Sequence, residues 1–351
     1  MLDIEGAVEA TAPDEGIAAH YGDPAREQRA LFASRSADPG KPVLIDRSNR
    51  GVIKVTGADR LGWLHSLTSQ HLERLAPGDT AQALVLSPQG HIEHDLTLTD
   101  DTTATWAHVE PGTAPALVEY LNSMRFMMRV EVTDATAELG VLTLTGPKDA
   151  GRSIAEEAGA AAVTEDPFGI NILLSRDRIP ALAAKLSPDV AGIWAYEAAR
   201  IAAHRPRPGL DTDHRTLPHE VGLIETAVHL NKGCYRGQET VARIHNLGHP
   251  PRRLVFLHLD GSADRLPEPG SPITTADGTK VGFAGSSARH YELGPIGLGL
   301  VKRSVSPDAA LLADGIAAAQ EVIVAPDAGA NVKVAPRKEF FAPPPAARKL
   351  L

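Results

Sequence analysis

A single cysteine stands in the most chemically distinctive stretch of the chain. It lies in an octapeptide that carries two cations and two glycines: Lys232, Gly233, Cys234, Tyr235, Arg236, Gly237, Gln238 and Glu239. A thiol reacts as its thiolate, which neighbouring cations favour, and glycines let a ligand approach the backbone closely. Because these neighbours are polar, charged or glycine, they suit a core position poorly, and we expect Cys234 to be an exposed, reactive thiol.

The presence of one cysteine excludes several classes of site. No disulfide, no Cys-x-x-Cys zinc site and no self-contained set of iron–sulfur ligands can be built from Cys234 alone. Three roles stay open for this thiol: a transient mixed disulfide, carriage of a one-carbon unit, or one ligand to a cluster shared with a partner protein.

Composition and charge narrow the functional classes further. The 351 residues are 43% hydrophobic and 23% charged, as in a globular protein of two or three domains. The net charge of −9 argues against a general affinity for nucleic acid or anionic membranes. No apolar run is long enough to span a bilayer and the chain begins with acidic residues, so we expect a cytoplasmic protein without membrane contact. Residues 231–253 differ, with five cations and one acid, which favours a small anionic ligand or a docking face over direct contact with tRNA.

The pattern of apolar residues indicates an α+β protein. Helices are predicted over 148–158 and 179–186. A series of short strands separated by Gly and Pro turns is predicted to begin at 241–245 and to end at 331–334. We predict two ferredoxin-like modules followed by a small C-terminal β-barrel. The predicted parts are a mobile N-terminal arm (1–41), a discontinuous first module (42–50 and 134–239), a second module (51–133), the barrel (240–335) and a tail (336–351).

The 14 histidines do not show the spacing of a known metal motif. His91 and Glu93 share one face of a predicted strand while His94 points to the other, whereas zinc proteases need two histidines one helical turn apart. Residues 211–213 lack the glycine and the closing glutamate of a calcium loop, and residues 297–299 lack the third glycine of a dinucleotide site. We therefore expect no metal site.

The octapeptide also carries a resemblance to a known family. With residues 240–243 after it, the octapeptide resembles the signature of the YgfZ family of folate-binding proteins, relatives of the aminomethyltransferase (T-protein) of the glycine cleavage system. The segments 46–59, 218–220 and 281–303 support the resemblance. It implies an aminomethyltransferase (GcvT/YgfZ)-like fold, in which three domains enclose a channel that holds tetrahydrofolate or a one-carbon folate.

The resemblance also implies roles for residues around the folate. A pterin needs a carboxylate for its paired N–H edge, apolar or aromatic walls for its faces, and cations for the glutamate tail. Glu220 is the candidate for the edge. The candidate walls are Trp194, Tyr196 and Tyr235, and the candidate cations are Arg200, Arg236 and Arg243.

Two departures from the glycine-cleavage enzymes bear on activity. Those enzymes carry a pterin-binding glutamate two positions after the arginine that corresponds to Arg200, where this chain has Ala202. They also carry a paired Asp-Asp that manages charge at the reacting folate nitrogen. Of that pair, this chain keeps only Asp95, preceded by His94.

The resemblance predicts a tetrahydrofolate-binding protein of the YgfZ type that assists iron–sulfur cluster assembly or repair, notably for tRNA-modifying enzymes. Cys234 is expected to act together with an iron–sulfur client or assembly protein. The alternative is a folate-dependent aminomethyltransferase in which Asp95 tunes the folate nitrogen. Tetrahydrofolate binding without aminomethyl turnover distinguishes the first function from the second.

Overall fold

Two five-stranded sheets, a closed six-stranded barrel and a two-stranded ribbon organise the part of the chain that the computed structural model describes, residues 1–36, 41–186 and 189–331. The predicted α+β class, with ferredoxin-like modules and a C-terminal barrel, is confirmed. None of the helices within these ranges combines the length and the apolar composition that crossing a bilayer requires.

The helices and strands have the following bounds. The helices are α1 (Pro24–Ala33), α2 (Arg60–Leu67), α3 (Ala114–Ser123), α4 (Lys148–Ala158), α5 (Ile179–Leu186), α6 (Ile193–Ala202), α7 (Ile224–Ala227) and α8 (Gln238–Leu247). The first nine strands are β1 (Val8–Glu9), β2 (Ala18–His20), β3 (Leu44–Asp46), β4 (Gly51–Thr56), β5 (Thr80–Leu86), β6 (Ile92–Asp100), β7 (Ala104–Val109), β8 (Glu131–Asp134) and β9 (Leu139–Thr145). The others are β10 (Ala162–Asp166), β11 (Gly169–Ser175), β12 (Val190–Ala191), β13 (Arg252–Leu259), β14 (Pro272–Thr275), β15 (Lys280–His290), β16 (Gly294–Lys302), β17 (Leu311–Ala313) and β18 (Ile316–Val322).

The first sheet has the strand order β10-β11-β9-β3-β12 and is buried on both faces. Successive side chains of a strand point to opposite faces. On β9, Leu142 and Leu144 pack with Ala155 of α4, whereas Val141 packs with Val52 of the second sheet. Layers on both sides explain the nearly continuous apolar sequence of β9.

The second sheet has the order β5-β6-β7-β4-β8 and carries α2 and α3 on one face. Ile53 and Val55 of β4 share a cluster with Leu64 of α2 and Leu117 of α3. Because β4 pairs with β7 and β8 on its two sides, it occupies an interior position and holds both helices over one apolar surface.

The barrel closes in the order β13-β16-β15-β14-β17-β18 and has two apolar surfaces. Val255 and Leu257 of β13 pack with the residues that fill one cluster of the barrel. The alternate residues Leu254 and Phe256 pack with Ile201 of α6 instead. The outward face of β13 therefore attaches the barrel to the helix that also borders the two sheets.

The N-terminal residues are packed, so the prediction of a mobile arm is wrong for the described residues 1–36. Ile17 and Leu31 are fully buried. The buried carboxylate of Glu27 accepts hydrogen bonds from the backbone N–H groups of Tyr21 (2.7 Å) and Gly192 (2.9 Å). The acidic composition of this segment suggested a solvated arm. The prediction failed because sequence patterns do not reveal partners more than a hundred residues away, such as Gly192 for Glu27.

The predicted strand at 241–245 is also wrong, since these residues belong to the helix α8. Val241 and Ile244 are buried, and their spacing of three residues places them on one helical face. Five residues fit both a helical and an alternating pattern, so the short window misled the assignment. Of the strand predicted at 331–334, Asn331 lies outside any strand and the other three residues lie outside the described ranges, as does the predicted tail.

We expect Gly192→Ala to destabilise the protein by about 1–3 kcal/mol, because an added methyl group would meet the carbonyl oxygen of Ala19 at 2.1 Å. The midpoint of urea unfolding measures this change. Gly62→Ala is the matched control, since nothing lies within 4 Å of its added methyl and it sits within α2. We expect Gly62→Ala to stabilise by about 0.5–1 kcal/mol. Equal midpoints for the two variants would contradict the packing of β2 on Gly192.

Candidate functional site

The lone thiol lies at the surface, as its polar neighbours predicted. Cys234 is exposed in the loop that joins α7 to α8, and Gly233 beside it has nothing within 4 Å of the position where a side chain would begin. We call residues 232–237 the cysteine loop. A large molecule can therefore approach the sulfur from solvent.

Lys232 anchors the start of the cysteine loop to the end of α2. Its ammonium donates hydrogen bonds to the carbonyl oxygens of His65, Thr68 (2.5 Å) and Gln70 (3.2 Å). Burial lowers the pKa of Lys232 to about 8. The side chain also lies 4.9 Å from the ring centre of Tyr235. The ammonium predicted to activate the thiol is thus engaged by backbone oxygens.

The other end of the cysteine loop packs against the turn between β5 and β6. Gly237 has a φ of +82°, and an added methyl group there would meet the carbonyl oxygen of Ser87 at 2.5 Å and the Cα atom of Gly90 at 2.9 Å. Arg236 donates to both carboxylate oxygens of Glu93 at 2.8 and 3.2 Å. Its charge is therefore paired, and the loop is fixed at both ends.

A charged cavity of about 510 Å³ lies between the two sheets, α6 and the loop that follows α6. We call it the charged cavity. Asp95, Tyr196 and Arg200, three of the residues predicted from sequence, line it together with Gln82 and Glu197. The structure thus brings part of the predicted site together in one place.

Asp95 has the properties of a titratable group at this cavity. Burial raises the pKa of Asp95 to about 6, although Gln82 donates to both of its carboxylate oxygens at 3.0 and 2.9 Å. A carboxyl with a pKa close to neutral can accept or donate a proton under ordinary conditions. His94 points elsewhere, and burial lowers its pKa so that the imidazole is neutral.

Buried ion pairs form the wall opposite Asp95. Arg200 bonds Glu197 at 2.5 Å and Asp211 at 3.0 Å. Arg207 bonds Asp14 and Glu110, each at 2.7 Å. Arg200 is therefore committed to protein carboxylates, and its predicted contact with a folate tail would require it to exchange a partner.

A second cavity of about 880 Å³ adjoins the charged cavity, since Gln82, Arg205 and Thr226 line both. Four histidines are among its lining residues, and we call it the histidine-lined cavity: His204, His219, His229 and His245. Its lining extends to Asn231, which directly precedes the cysteine loop. The two cavities thus extend from Asp95 to Asn231, three residues before the thiol.

Other residues predicted to contact folate have structural partners. Glu220 is fully buried and pairs with Arg252 at 2.8 Å, and its carboxylate also accepts from the Leu217 backbone at 2.9 Å. Trp194 is 52% exposed and stacks with His20 at 5.0 Å. These engagements leave Glu220 no free oxygen for a pterin edge and place the Trp194 ring at the outer surface.

The remaining predicted residues belong to the cysteine loop or α8. Tyr235 is buried in the cluster that joins the barrel to α6, and burial raises its pKa to about 12. Gln238 begins α8, and Glu239 and Arg243 are exposed on the same helix. Their contacts with folate stay predictions.

Most lining residues of the charged cavity were not predicted from the sequence, and Glu197 and Arg205 are two examples. Glu197 precedes Arg200 by one helical turn, a spacing typical of an ion pair, so the sequence did contain a signal for it. Arg205 lies where the two cavities meet. Within the residues that the structure describes, its guanidinium has no hydrogen-bond or ion-pair partner, although its charge favours the ionised form of Asp95. Nothing in its neighbourhood along the sequence distinguishes it from the other cations.

Comparisons with known proteins give the following similarities. The GCVT N-terminal domain family matches residues 39–168. A chloroplastic protein of Arabidopsis thaliana, provisionally named a transferase, is 29% identical over 300 residues, which are 75% of this chain and 66% of that protein. A mitochondrial protein of Coccidioides immitis, named as a homolog of the iron–sulfur cluster assembly factor IBA57, is 26% identical over 70% of this chain and 64% of its own length. The chain thus spans about two thirds of these relatives.

A solved structure shares the fold. The glycine cleavage system aminomethyltransferase T from Bartonella henselae aligns with a TM-score of 0.72 at 20% identity, covering 90% of this chain and 93% of that chain. The predicted aminomethyltransferase-like fold is therefore confirmed.

We expect Gly237→Ala to destabilise the protein by about 1–3 kcal/mol, because alanine at this φ is strained and its methyl group would collide with the β5–β6 turn. Urea unfolding gives the change. Gly233→Ala is the control, and open space at this position predicts a change within about 0.5 kcal/mol. The anchoring of the loop is contradicted if the two substitutions act alike.

We expect the stability of Asp95→Asn relative to the native chain to rise between pH 4 and pH 6.5. The raised pKa means that the folded protein loses stability as the Asp95 carboxyl ionises, and asparagine does not ionise. The difference in free energy of unfolding should increase by about 1–3 kcal/mol across this range and stay constant above it. Asp79→Asn changes an exposed side chain and should show no such slope. A flat difference for Asp95→Asn would show that its carboxyl is not desolvated.

Proposed function

We propose that this chain binds tetrahydrofolate or a one-carbon folate and uses Cys234 in iron–sulfur cluster assembly or repair. The match of residues 39–168 to the GCVT N-terminal domain family and the aminomethyltransferase fold support its placement in the GcvT-like superfamily. The observation that carries the proposal is an exposed thiol on an anchored loop that directly follows Asn231, a lining residue of the histidine-lined cavity. This cavity adjoins the charged cavity, and the two cavities are lined by the Asp95 carboxyl and the Arg205 guanidinium.

The residues present fit a folate. Asp95 lines the charged cavity, and Gln82 is its one side-chain hydrogen-bond donor among the described residues, so it can accept N–H groups from a pterin edge. Arg205 can pair with a carboxylate of the glutamate tail. Ligand cavities are typically about 300–1,000 Å³, and each of the two cavities lies within that range.

We assign the binding of the pterin edge to Asp95 instead of Glu220. Arg252 and the Leu217 backbone already use the carboxylate of Glu220, while Asp95 keeps surface toward the cavity. Arg205 similarly replaces Arg200 as the tail cation, because Arg200 bonds Glu197 and Asp211.

Cluster chemistry needs a second protein. A [2Fe–2S] or [4Fe–4S] cluster takes four protein ligands, and Cys234 supplies one. The partner is therefore an iron–sulfur client or assembly protein that contributes the other ligands. Relatives named as iron–sulfur cluster assembly factors support this class of partner. Action on tRNA-modifying enzymes, the YgfZ type and a cytoplasmic location stay predictions.

One-carbon transfer is the second candidate. The raised pKa of Asp95 favours it, because a carboxyl near neutrality could exchange a proton with a reacting folate nitrogen. In this function the protein would form methylene-tetrahydrofolate from a lipoyl-linked aminomethyl substrate, and Cys234 would be dispensable.

The test combines an anaerobic tetrahydrofolate titration with complementation of a strain that is defective in cluster maintenance. We expect the native chain to bind one equivalent without aminomethyl turnover. Asp95→Asn should bind about 10-fold more weakly or worse, because a hydrogen bond to a charged group contributes about 1.5–3 kcal/mol. Cys234→Ser should bind folate within about threefold of the native chain and fail to complement.

Arg29→Met is the matched control, since it removes an exposed cation of α1, which belongs to neither cavity, and should retain both functions. Absence of saturable folate binding by the native chain would refute the proposal that folate is the ligand. Full complementation by Cys234→Ser would refute the role of the thiol, and sustained aminomethyl turnover would replace the assembly function with the transferase.

A further inference from the structure

A group of imidazoles and a carboxylate lies at the end of α2, beneath the anchor of the cysteine loop. His65, His71 and Glu73 each place one ligand atom within 4.8 Å of the other two. The ring of His229 lies 5.3 Å from that of His71, and its Nδ1 atom is buried without a hydrogen-bond partner in the described part of the chain. Four potential donors therefore converge on a small volume.

We propose that His65, His71 and Glu73 bind a divalent transition-metal ion of the zinc class, with His229 as the adjacent fourth donor. Two imidazoles and a carboxylate form a common zinc-binding set, and imidazole donors favour zinc, cobalt and nickel over magnesium or calcium. The proposal is independent of folate binding and of cluster chemistry. It differs from the sequence prediction of no metal site.

One hydrogen bond to the His65 ring indicates which ring nitrogen would bind the ion. The Leu72 backbone N–H donates to Nδ1 of His65 at 3.3 Å, which leaves Nε2 as the free ring atom. Ligation through Nε2 places the ring proton on Nδ1, so the ion displaces this long hydrogen bond. The geometry with His71 suits convergence, since the two rings are edge to face at 81° with centres 4.7 Å apart.

Charge around the group has both signs. The Lys232 ammonium, bonded to the carbonyl oxygen of His65, opposes a bound cation. The carboxylate of Glu73 is exposed and has no partner within the described residues, so it is free to offset that repulsion. Glu73 is thus the donor on which binding should depend most strongly.

Sequence spacing could not indicate this site. His65 and His71 are separated by the end of α2 and a turn, and His229 lies in the loop after α7, more than 150 residues later. The backbone bond from His229 N–H to the Ser69 carbonyl oxygen, at 2.9 Å, brings the third imidazole to the pair.

The test uses the full chain, stripped of metal with a chelator and titrated with Zn²⁺ by equilibrium dialysis and with Co²⁺ by visible absorption. We expect one ion per chain and a melting temperature that rises with zinc concentration. The visible spectrum of bound Co²⁺ should show a low coordination number of the ion and no thiolate charge-transfer band. His71→Ala and Glu73→Gln should each weaken zinc binding at least 10-fold. Both side chains are at least partly exposed, so the variants should fold.

Two controls separate this site from other donors. His214→Ala removes an exposed histidine elsewhere, and Cys234→Ser removes the thiol, and both should bind zinc as the native chain does. The proposal is overturned if the native chain shows no saturable binding, if His71→Ala and Glu73→Gln bind normally, or if Cys234→Ser loses the ion.

Discussion

Buried arginines hold the parts of this protein in one arrangement. Arg207 lies in the loop after α6 and pairs with Asp14 of the N-terminal residues and Glu110 at the end of β7. Arg200 of α6 pairs with Asp211, whose carboxylate accepts from the backbone and hydroxyl of Ser286 in the barrel. Removing one member of a buried pair leaves an uncompensated charge, so such a network tolerates little displacement. The first 36 residues, the second sheet, α6 and the barrel are thereby fixed around the charged cavity.

The same network sets the chemistry of that cavity. Burial alone raises the pKa of Glu110, but Arg50 and Arg207 lower it below its usual range, so Glu110 is ionised. Within the described ranges no arginine bonds the carboxylate of Asp95, which accepts from the Gln82 amide, and burial raises its pKa to about 6. Carboxylates in one cavity thus differ in pKa because their hydrogen-bond donors and neighbouring charges differ. Glu110 is thus part of the ion pairs that form the cavity wall, whereas Asp95 is available to a ligand.

The sequence predicted the fold where local pattern and tertiary packing agree. The helices at 148–158 and 179–186 have the predicted bounds, because each has an apolar face that packs on the first sheet. The predictions for the N-terminal residues and for the segment that forms α8 were wrong for the same reason. Asp14 and Glu27 are stabilised by Arg207 and Gly192, and α8 is buried by contacts with the barrel. Such distant partners do not appear in a local window.

The candidate site was predictable to a similar degree. Exposure of Cys234 followed from its neighbours, and Asp95 and Arg200 do line one cavity. The use of Lys232 could not be foreseen, since the carbonyl oxygens that it bonds belong to residues 65–70. Arg205 was missed because its place where the two cavities meet depends on residues that are distant in sequence.

Fixation of the cysteine loop at both ends has a consequence for how a second protein meets the thiol. Between the Lys232 anchor and the packed Gly237, Gly233 and Cys234 face solvent. The sulfur therefore keeps a fixed position relative to the rest of the fold. Little conformational entropy is lost on this side when a partner docks, and the shape of the partner's surface decides which proteins can reach the sulfur.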